Sequence, residues 1–192
     1  MKKLFWGVFF IYLNFNINFN GHQVNLLPDF VGYILLLLGA NEFAGKSAYF
    51  GRVKPFAIGM AVYSAAVWLG ALFSVSLGGW PDLLLPLAAM AVSLYISRLL
   101  IGGVREMEKQ EDDCWGGFIL HNRWKLLLGI QAVSYLLNLV AKLGGNESLY
   151  AVAGLTSILC MLCIFIYLLA WYRTWTAYEK AGEKAPADTE QV

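Results

Sequence analysis

Residues 14–30 read NFNINFNGHQVNLLPDF, and they decide what kind of fold the chain forms. Four asparagines, Asn14, Asn16, Asn18 and Asn20, alternate with Phe15, Ile17 and Phe19. In an α-helix, Asn14 and Asn18 share one face while Asn16 and Asn20 lie nearly opposite, so amides would ring the helix. In an extended strand all four asparagines share one side and the apolar residues take the other. Asn20-Gly21 is a strong signal for a type I′ hairpin turn, with His22 to Leu26 placed to return as a second strand. The spacing predicts that helix stops near Asn14 and that a short extended hairpin occupies residues 14–27. Pro28-Asp29 then suits a helix start, because proline fits the first turn and the carboxylate meets the positive end of the helix dipole.

This polar stretch sits in a strongly apolar chain. Of 192 residues, 59% are hydrophobic and 14% charged, with mean hydropathy +0.59. A soluble domain carries about 25% charged residues, so the composition points to a membrane protein. The net charge of +1 gives no case for nucleic-acid binding. Apolar segments run at about Leu4–Phe19, Leu26–Asn41, Phe56–Leu77, Asp82–Ile101, Trp124–Leu143 and Leu149–Tyr172. The first two are the weakest. The fold expected is an all-α membrane protein, a six-span helical bundle of three hairpins with a short extended hairpin at 14–27. It forms a single integral membrane domain over 1–178, with a disordered tail over 179–192. Lys2-Lys3 before Leu4–Leu13 imitates a signal peptide, but no A-x-A-like site follows, so an uncleaved first span is expected.

The basic residues test this division. With both termini cytoplasmic, Lys2, Lys3, Lys46, Arg52, Lys54, Arg98, Arg105, Lys109, Arg123, Lys125, Arg173, Lys180 and Lys184 share one side, and Lys142 alone takes the other. Cytoplasmic loops are enriched in Lys and Arg, and the asymmetry here is thirteen to one. Trp6, Phe56, Trp115, Trp124, Trp171 and Trp175 fall near the proposed cytoplasmic boundary, with Trp80 and Tyr150 near the outer one, as amphipathic rings do.

Small residues recur every four positions at Ala66, Gly70, Ser74 and Gly78, and again at Ala89, Ser93 and Ser97. Such stripes let helix backbones approach closely, so these two spans are expected to pack on each other or to dimerise. The interruption from 102 to 123 is expected to be a cytoplasmic loop. Within it, Arg105–Asp113 (REMEKQEDD) reads as a solvated extension of the fourth span, and Trp115, Phe118, Ile119 and Leu120 as residues resting on the membrane surface.

No phosphate-binding loop, dinucleotide fingerprint, zinc-type Cys/His set or nucleophile elbow is present. No cofactor or metal is expected, and no catalytic residue is assigned. Cys160-Met-Leu-Cys163 lies inside an apolar run, where cysteine is a small apolar residue. His22 and His121 fall on opposite sides of the membrane in this topology. The candidate polar site is Asn14, Asn16, Asn18, His22, Asp29 and Tyr33. His22 and Asp29 form an acid–base or metal-binding pair if the loop folds back; otherwise they are a loop histidine and a capping carboxylate. Non-helical backbone at membrane depth is tolerated only when buried in protein or lining a wet cavity, which is how many transporters build substrate sites. The alternative is an ordered outer loop capping the bundle.

The run Ile17-Asn18 to Leu26-Leu27-Pro28-Asp29-Phe30-Val31-Gly32-Tyr33-Ile34-Leu35 resembles an "IN…LPDFxGYIL"-like motif found in a group of small, uncharacterised bacterial multi-span membrane proteins. The resemblance covers about the first forty residues. It implies a multi-pass protein of the bacterial plasma (inner) membrane and lends no catalytic residue. Two functions follow as expectations. The first is a non-enzymatic accessory or interaction protein acting through helix packing and its cytoplasmic loop. The alternative is a small-solute or ion transporter or channel subunit with a site near 14–33. An outer-face membrane enzyme ranks last. The expected partners are the lipid bilayer and a membrane protein or further copies of the chain.

Overall fold

The computed structural model describes residues 1–13, 16–19, 22–25, 28–73, 81–144 and 147–184, with the two strands described by their backbone. Six helices and one short hairpin follow in the order α1 (Lys2–Tyr12), β1 (Asn16–Phe19), β2 (His22–Asn25), α2 (Asp29–Phe43), α3 (Ala48–Leu72), α4 (Pro81–Gln110), α5 (Gly117–Gly144) and α6 (Glu147–Lys184). The helices pack on their sequence neighbours, and α1 meets α6 to close the ring.

Among the described residues, α3, α4, α5 and α6 are the helices long and apolar enough to cross a membrane. Their outward faces are apolar. Val62, Val67, Phe73, Leu136, Leu155, Ile158 and Leu169 are all at least half exposed, as lipid-facing side chains are.

The first segment is not the continuous run over Leu4–Phe19 that hydropathy suggests. Helix α1 has eleven residues, and Leu13 beyond it is extended (φ −97°, ψ 90°). At 1.5 Å per residue such a helix is about 16 Å long, roughly half a hydrocarbon core. Side chains such as Asn compete with helix by bonding nearby backbone, and the alternating pattern favours strand from here. The strands pair antiparallel in the register Asn16↔Asn25, Ile17↔Val24, Asn18↔Gln23 and Phe19↔His22, and β2 lies against α3. Helix α2 starts at Asp29 rather than Leu26 and has fifteen residues.

Two glycines let α1 and α2 touch. A Cβ on Gly7 would lie 2.9 Å from the Gly32 carbonyl oxygen, and one on Gly32 would lie 2.8 Å from that of Gly7. Leu4 seats against Gly39 in the same antiparallel crossing, and Lys3 pairs with Glu42 at its end. The core then spreads from α1. Leu4 and Val8 are buried, Phe5 stacks on Trp175 at 5.4 Å, and Tyr12 meets Tyr167 edge-on at 5.6 Å.

One end of the bundle gathers the charges. Lys46, between α2 and α3, pairs with Glu111 at 2.9 Å and lies 5.6 Å from the Tyr178 ring centre. Ser47 caps α3 by accepting from the Tyr49 N–H at 3.2 Å and donates to Glu106 of α4. The α4–α5 turn is closed by Glu108, whose Oε1 accepts from the N–H groups of Trp115 and Gly117, both at 2.8 Å. Asp113 accepts from Trp115 Nε1 at 3.0 Å, while Gly116 supplies a φ of +105°.

Four expectations need correcting here. The loop over 102–123 is shorter, because α4 continues to Gln110 and α5 starts at Gly117. Trp115 and Leu120 are buried at 3% and 0% exposure, so only Phe118 and Ile119 are surface apolar residues. Trp124 and Trp171 are also buried, Trp124 because its Nε1 donates to the Leu94 carbonyl at 3.1 Å. Helix α6 runs past 178 to Lys184, with Tyr178 and Ala181 packed against the core.

Candidate functional site

Helix α1 ends well inside the bundle. The Tyr12 hydroxyl lies 2.9 Å from Ser97 Oγ of α4. Ser97 is about 20 Å along α4 from Gln110 at the charged end, roughly one helical turn more than the length of α1. One turn further from that end, the Tyr33 hydroxyl lies 2.6 Å from Ser93 Oγ. Ser93 donates its single hydroxyl proton to the Ala89 carbonyl at 2.7 Å, so Tyr33 donates to Ser93. The ends of α1 and α2 nearest the hairpin are thus tied to the middle of α4, a helix long and apolar enough to cross a membrane.

A cavity of about 460 Å³ opens at this point. Ile11 and Tyr12 of α1, Asp29 and Tyr33 of α2, Tyr63, Ser64 and Trp68 of α3, Pro86, Ala89 and Ser93 of α4, Gln131 of α5 and Ile164 of α6 line it. Its volume lies within the roughly 300–1,000 Å³ of small-molecule pockets. Gln131 Oε1 is buried and has no hydrogen-bond partner among the described residues. A buried amide oxygen left so is ordinarily completed by water or by a bound polar group. Ser64 turns its hydroxyl to the Met60 carbonyl at 2.6 Å, leaving lone pairs to accept.

Among the described residues that line the cavity, Asp29 is the one carboxylate, and none is Lys, Arg or His. Tyr12, Tyr33, Tyr63 and Trp68 supply four aromatic rings.

Of the candidate polar residues, Asp29 and Tyr33 both line the cavity. Asn16, Asn18 and His22 lie in the paired strands, with His22 opposite Phe19 at the turn. Asn14 lies outside the described residues. In the packing stripes, Ser74 and Gly78 also lie outside them, and Ala66 is exposed and Gly70 half-buried. The buried face of α3 is instead Phe50, Val53, Ala57, Met60 and Ser64. Helices α3 and α4 do meet, with Gly102 and Gly103 of α4 against the rings of Tyr49 and Phe50. On the second stripe, Ser93 and Ser97 receive the tyrosines of α2 and α1, while Ala89 lines the cavity. A small-residue stripe shows that something approaches closely, not which element does.

Tyr12, Tyr63, Trp68 and Gln131 were not singled out from sequence. A usable signal existed for Gln131, which recurs with Ser134 and Asn138 at i, i+3 and i+7 as a polar face on an apolar helix. Three features of the PDFxGY motif acquire physical roles. Asp29 lines the cavity, Gly32 permits the contact with α1, and Tyr33 bonds Ser93. No family model, curated protein or solved structure matches the chain.

Proposed function

We propose that the chain is a multi-pass plasma-membrane protein of a bacterium that binds a small polar solute at membrane depth and gives it passage, as a transporter or channel subunit. Helices α3 to α6 are its four spans. Helix α1, the hairpin and α2 form a re-entrant arm that enters from the charged end and returns to it, in place of two further spans. The basic end faces the cytoplasm under the asymmetry of Lys and Arg, with both chain ends there. A six-span bundle would give the same charge count, so that count does not separate the two topologies. The lengths of α1 and α2 favour the re-entrant arm.

The observation that carries this function is the junction of a broken segment with a polar cavity. Helix α1 stops at the middle of α4, and the cavity opens where it stops. Interrupted segments of this kind expose backbone and polar side chains to a solute at the midplane.

The accessory reading rests on helix packing and on the cytoplasmic loop, whose acidic tract is one surface it could offer. Four of the five acids in Arg105–Asp113 already serve the bundle: Glu106 with Ser47, Glu108 with two backbone N–H groups, Glu111 with Lys46, and Asp113 with Trp115. This leaves little of the tract for a partner.

Reconstituted protein is expected to bind or move a small solute, and Asn18→Leu or Asp29→Asn to impair this without loss of folding. Unchanged solute behaviour in both variants, with recovery of a partner lost on deleting residues 105–113, would reverse the assignment in favour of the accessory function.

A further inference from the structure

A second, smaller cavity of about 230 Å³ lies at the charged end, between Gly116, Ile119 and Arg123 on the α5 side and Leu169 and Arg173 of α6. We propose that it holds the headgroup of an anionic phospholipid, whose acyl chains run down the outside of the bundle. The α4–α5 turn forms its upper wall, packed so that a Cβ on Gly116 would lie 3.6 Å from Thr174 Oγ1 of α6. The proposal is independent of the solute site. It needs only that α5 and α6 cross a membrane, as their length and composition allow.

The charge of the ligand follows from the two arginines. Both are exposed, and neither makes an ion pair among the described residues, where the pairs are Lys3–Glu42 and Lys46–Glu111. None of the described residues lining this cavity is Asp or Glu. The acids of the adjoining turn are engaged, Glu108 with the N–H groups of Trp115 and Gly117, and Asp113 with Trp115 Nε1. A guanidinium presents two parallel N–H donors to the oxygens of a phosphate, so two of them beside one cavity suit a phosphodiester. A choline or ethanolamine headgroup would bring its own cation against both arginines, which favours a headgroup with net negative charge, as in phosphatidylglycerol. Thr174 donates its hydroxyl to the Ala170 carbonyl at 3.0 Å, leaving its oxygen to accept from a headgroup hydroxyl.

The apolar part of the lining separates a lipid from a free phosphate. Ile119, Ile166 and Leu169 line the same cavity and are exposed on its outer side, so phosphate contact and lipid-facing surface are continuous. Acyl chains gain from that surface, and a free phosphate gains nothing from it. The cavity is smaller than the roughly 300–1,000 Å³ of small-molecule pockets, which suits a headgroup with its chains outside. Basic pockets between spanning helices at the cytoplasmic side are where anionic headgroups bind.

The test uses the full chain in a neutral detergent and equilibrium binding of a fluorescent phosphatidylglycerol. Unlabelled phosphatidylglycerol, phosphatidylcholine with the same chains, and inorganic phosphate serve as competitors. Saturable binding is expected, displaced by unlabelled phosphatidylglycerol and by neither of the others. Arg123→Gln combined with Arg173→Gln is expected to weaken it on the order of tenfold or more. Arg52→Gln combined with Lys54→Gln removes the same charge from the first turns of α3 and is expected to leave it nearly unchanged. Thermal unfolding identifies the variants that fold, and either single arginine variant suffices where the pair does not. Equal weakening by the α3 pair overturns the site in favour of diffuse attraction to the basic end. Displacement by inorganic phosphate as strong as by lipid overturns the lipid assignment. Equal displacement by phosphatidylcholine overturns the selection for charge. Absence of saturable binding removes the lipid site and leaves the solute cavity untouched.

Discussion

The hydroxyl of Tyr12 sits 2.9 Å from Oγ of Ser97, joining the last residue of a half-length helix to the middle of a thirty-residue one. Both residues are buried, at 7% and 2% exposure. The bond therefore ties the end of α1 to α4 beside the cavity that Tyr12 lines. Tyr12→Phe removes it and is expected to cost about 1 kcal/mol, the net worth of a typical hydrogen bond. A loss of that size in reversible unfolding in detergent, with Ser97→Ala giving no further loss in the double variant, would show that the two residues act as one unit.

The crossing of α1 and α2 depends on two absent side chains. At Gly32 even a methyl group would lie 2.8 Å from a backbone oxygen, so the helices must separate to admit it. Gly32→Leu is expected to destabilise the protein by about 1–3 kcal/mol or more through overpacking. Gly59, with nothing within 4 Å of an added Cβ, is the matched control. Gly59→Leu is expected to leave the melting temperature nearly unchanged.

Glu108 organises the α4–α5 turn by accepting from two backbone N–H groups at once. Glu108→Ala orphans both donors beside a buried Trp115 and is expected to cost about 1–3 kcal/mol. Faster amide exchange at Trp115 and Gly117, with exchange in the centre of α6 unchanged, would locate the damage in that turn.

The pH response of the charged end follows from Lys46. Its hydrogen bond with Glu111 raises its pKa, partial burial opposes this, and Tyr178 adds to the rise. A raised lysine pKa means stability that is fully present below the ordinary lysine value, near 10.4, and lost as pH rises through the higher folded value. The pair is solvent-exposed, so its contribution is at most about 1 kcal/mol. Unfolding midpoints are expected to be insensitive to this pair from neutrality to pH 10, then to fall. Glu111→Gln should flatten that alkaline limb.

The apolar helices were legible because hydropathy alone marks segments of spanning length. Alternation at Asn14–Asn20 with Asn20-Gly21 carried the paired strands, since a period of two and a period of 3.6 place the same amides on incompatible surfaces. The partners of these elements were not legible. Tyr33 stood in the candidate polar site and Tyr12 did not stand out, and nothing local says that Ser93 and Ser97, far along the chain, receive their hydroxyls. The acidic run looked solvated because its acceptors are Glu and Asp, while the groups they bind are mostly backbone N–H donors, Lys46 and Ser47, supplied by turns. Asp29 read both as a helix-starting carboxylate and as a member of the candidate polar site, and its place on the cavity depends on where α1 ends.

The central claim is a wet cavity at membrane depth, reached where α1 gives way to the hairpin. Cysteine reactivity on α3 tests it most directly. In a chain with Cys114, Cys160 and Cys163 replaced by serine, Tyr63→Cys places a thiol on the cavity wall, while Val62→Cys places one on the face that is 67% exposed and directed to lipid. The account predicts that small water-soluble methanethiosulfonates modify position 63 and leave position 62 untouched in the intact membrane. Equal inertness at both positions would contradict it.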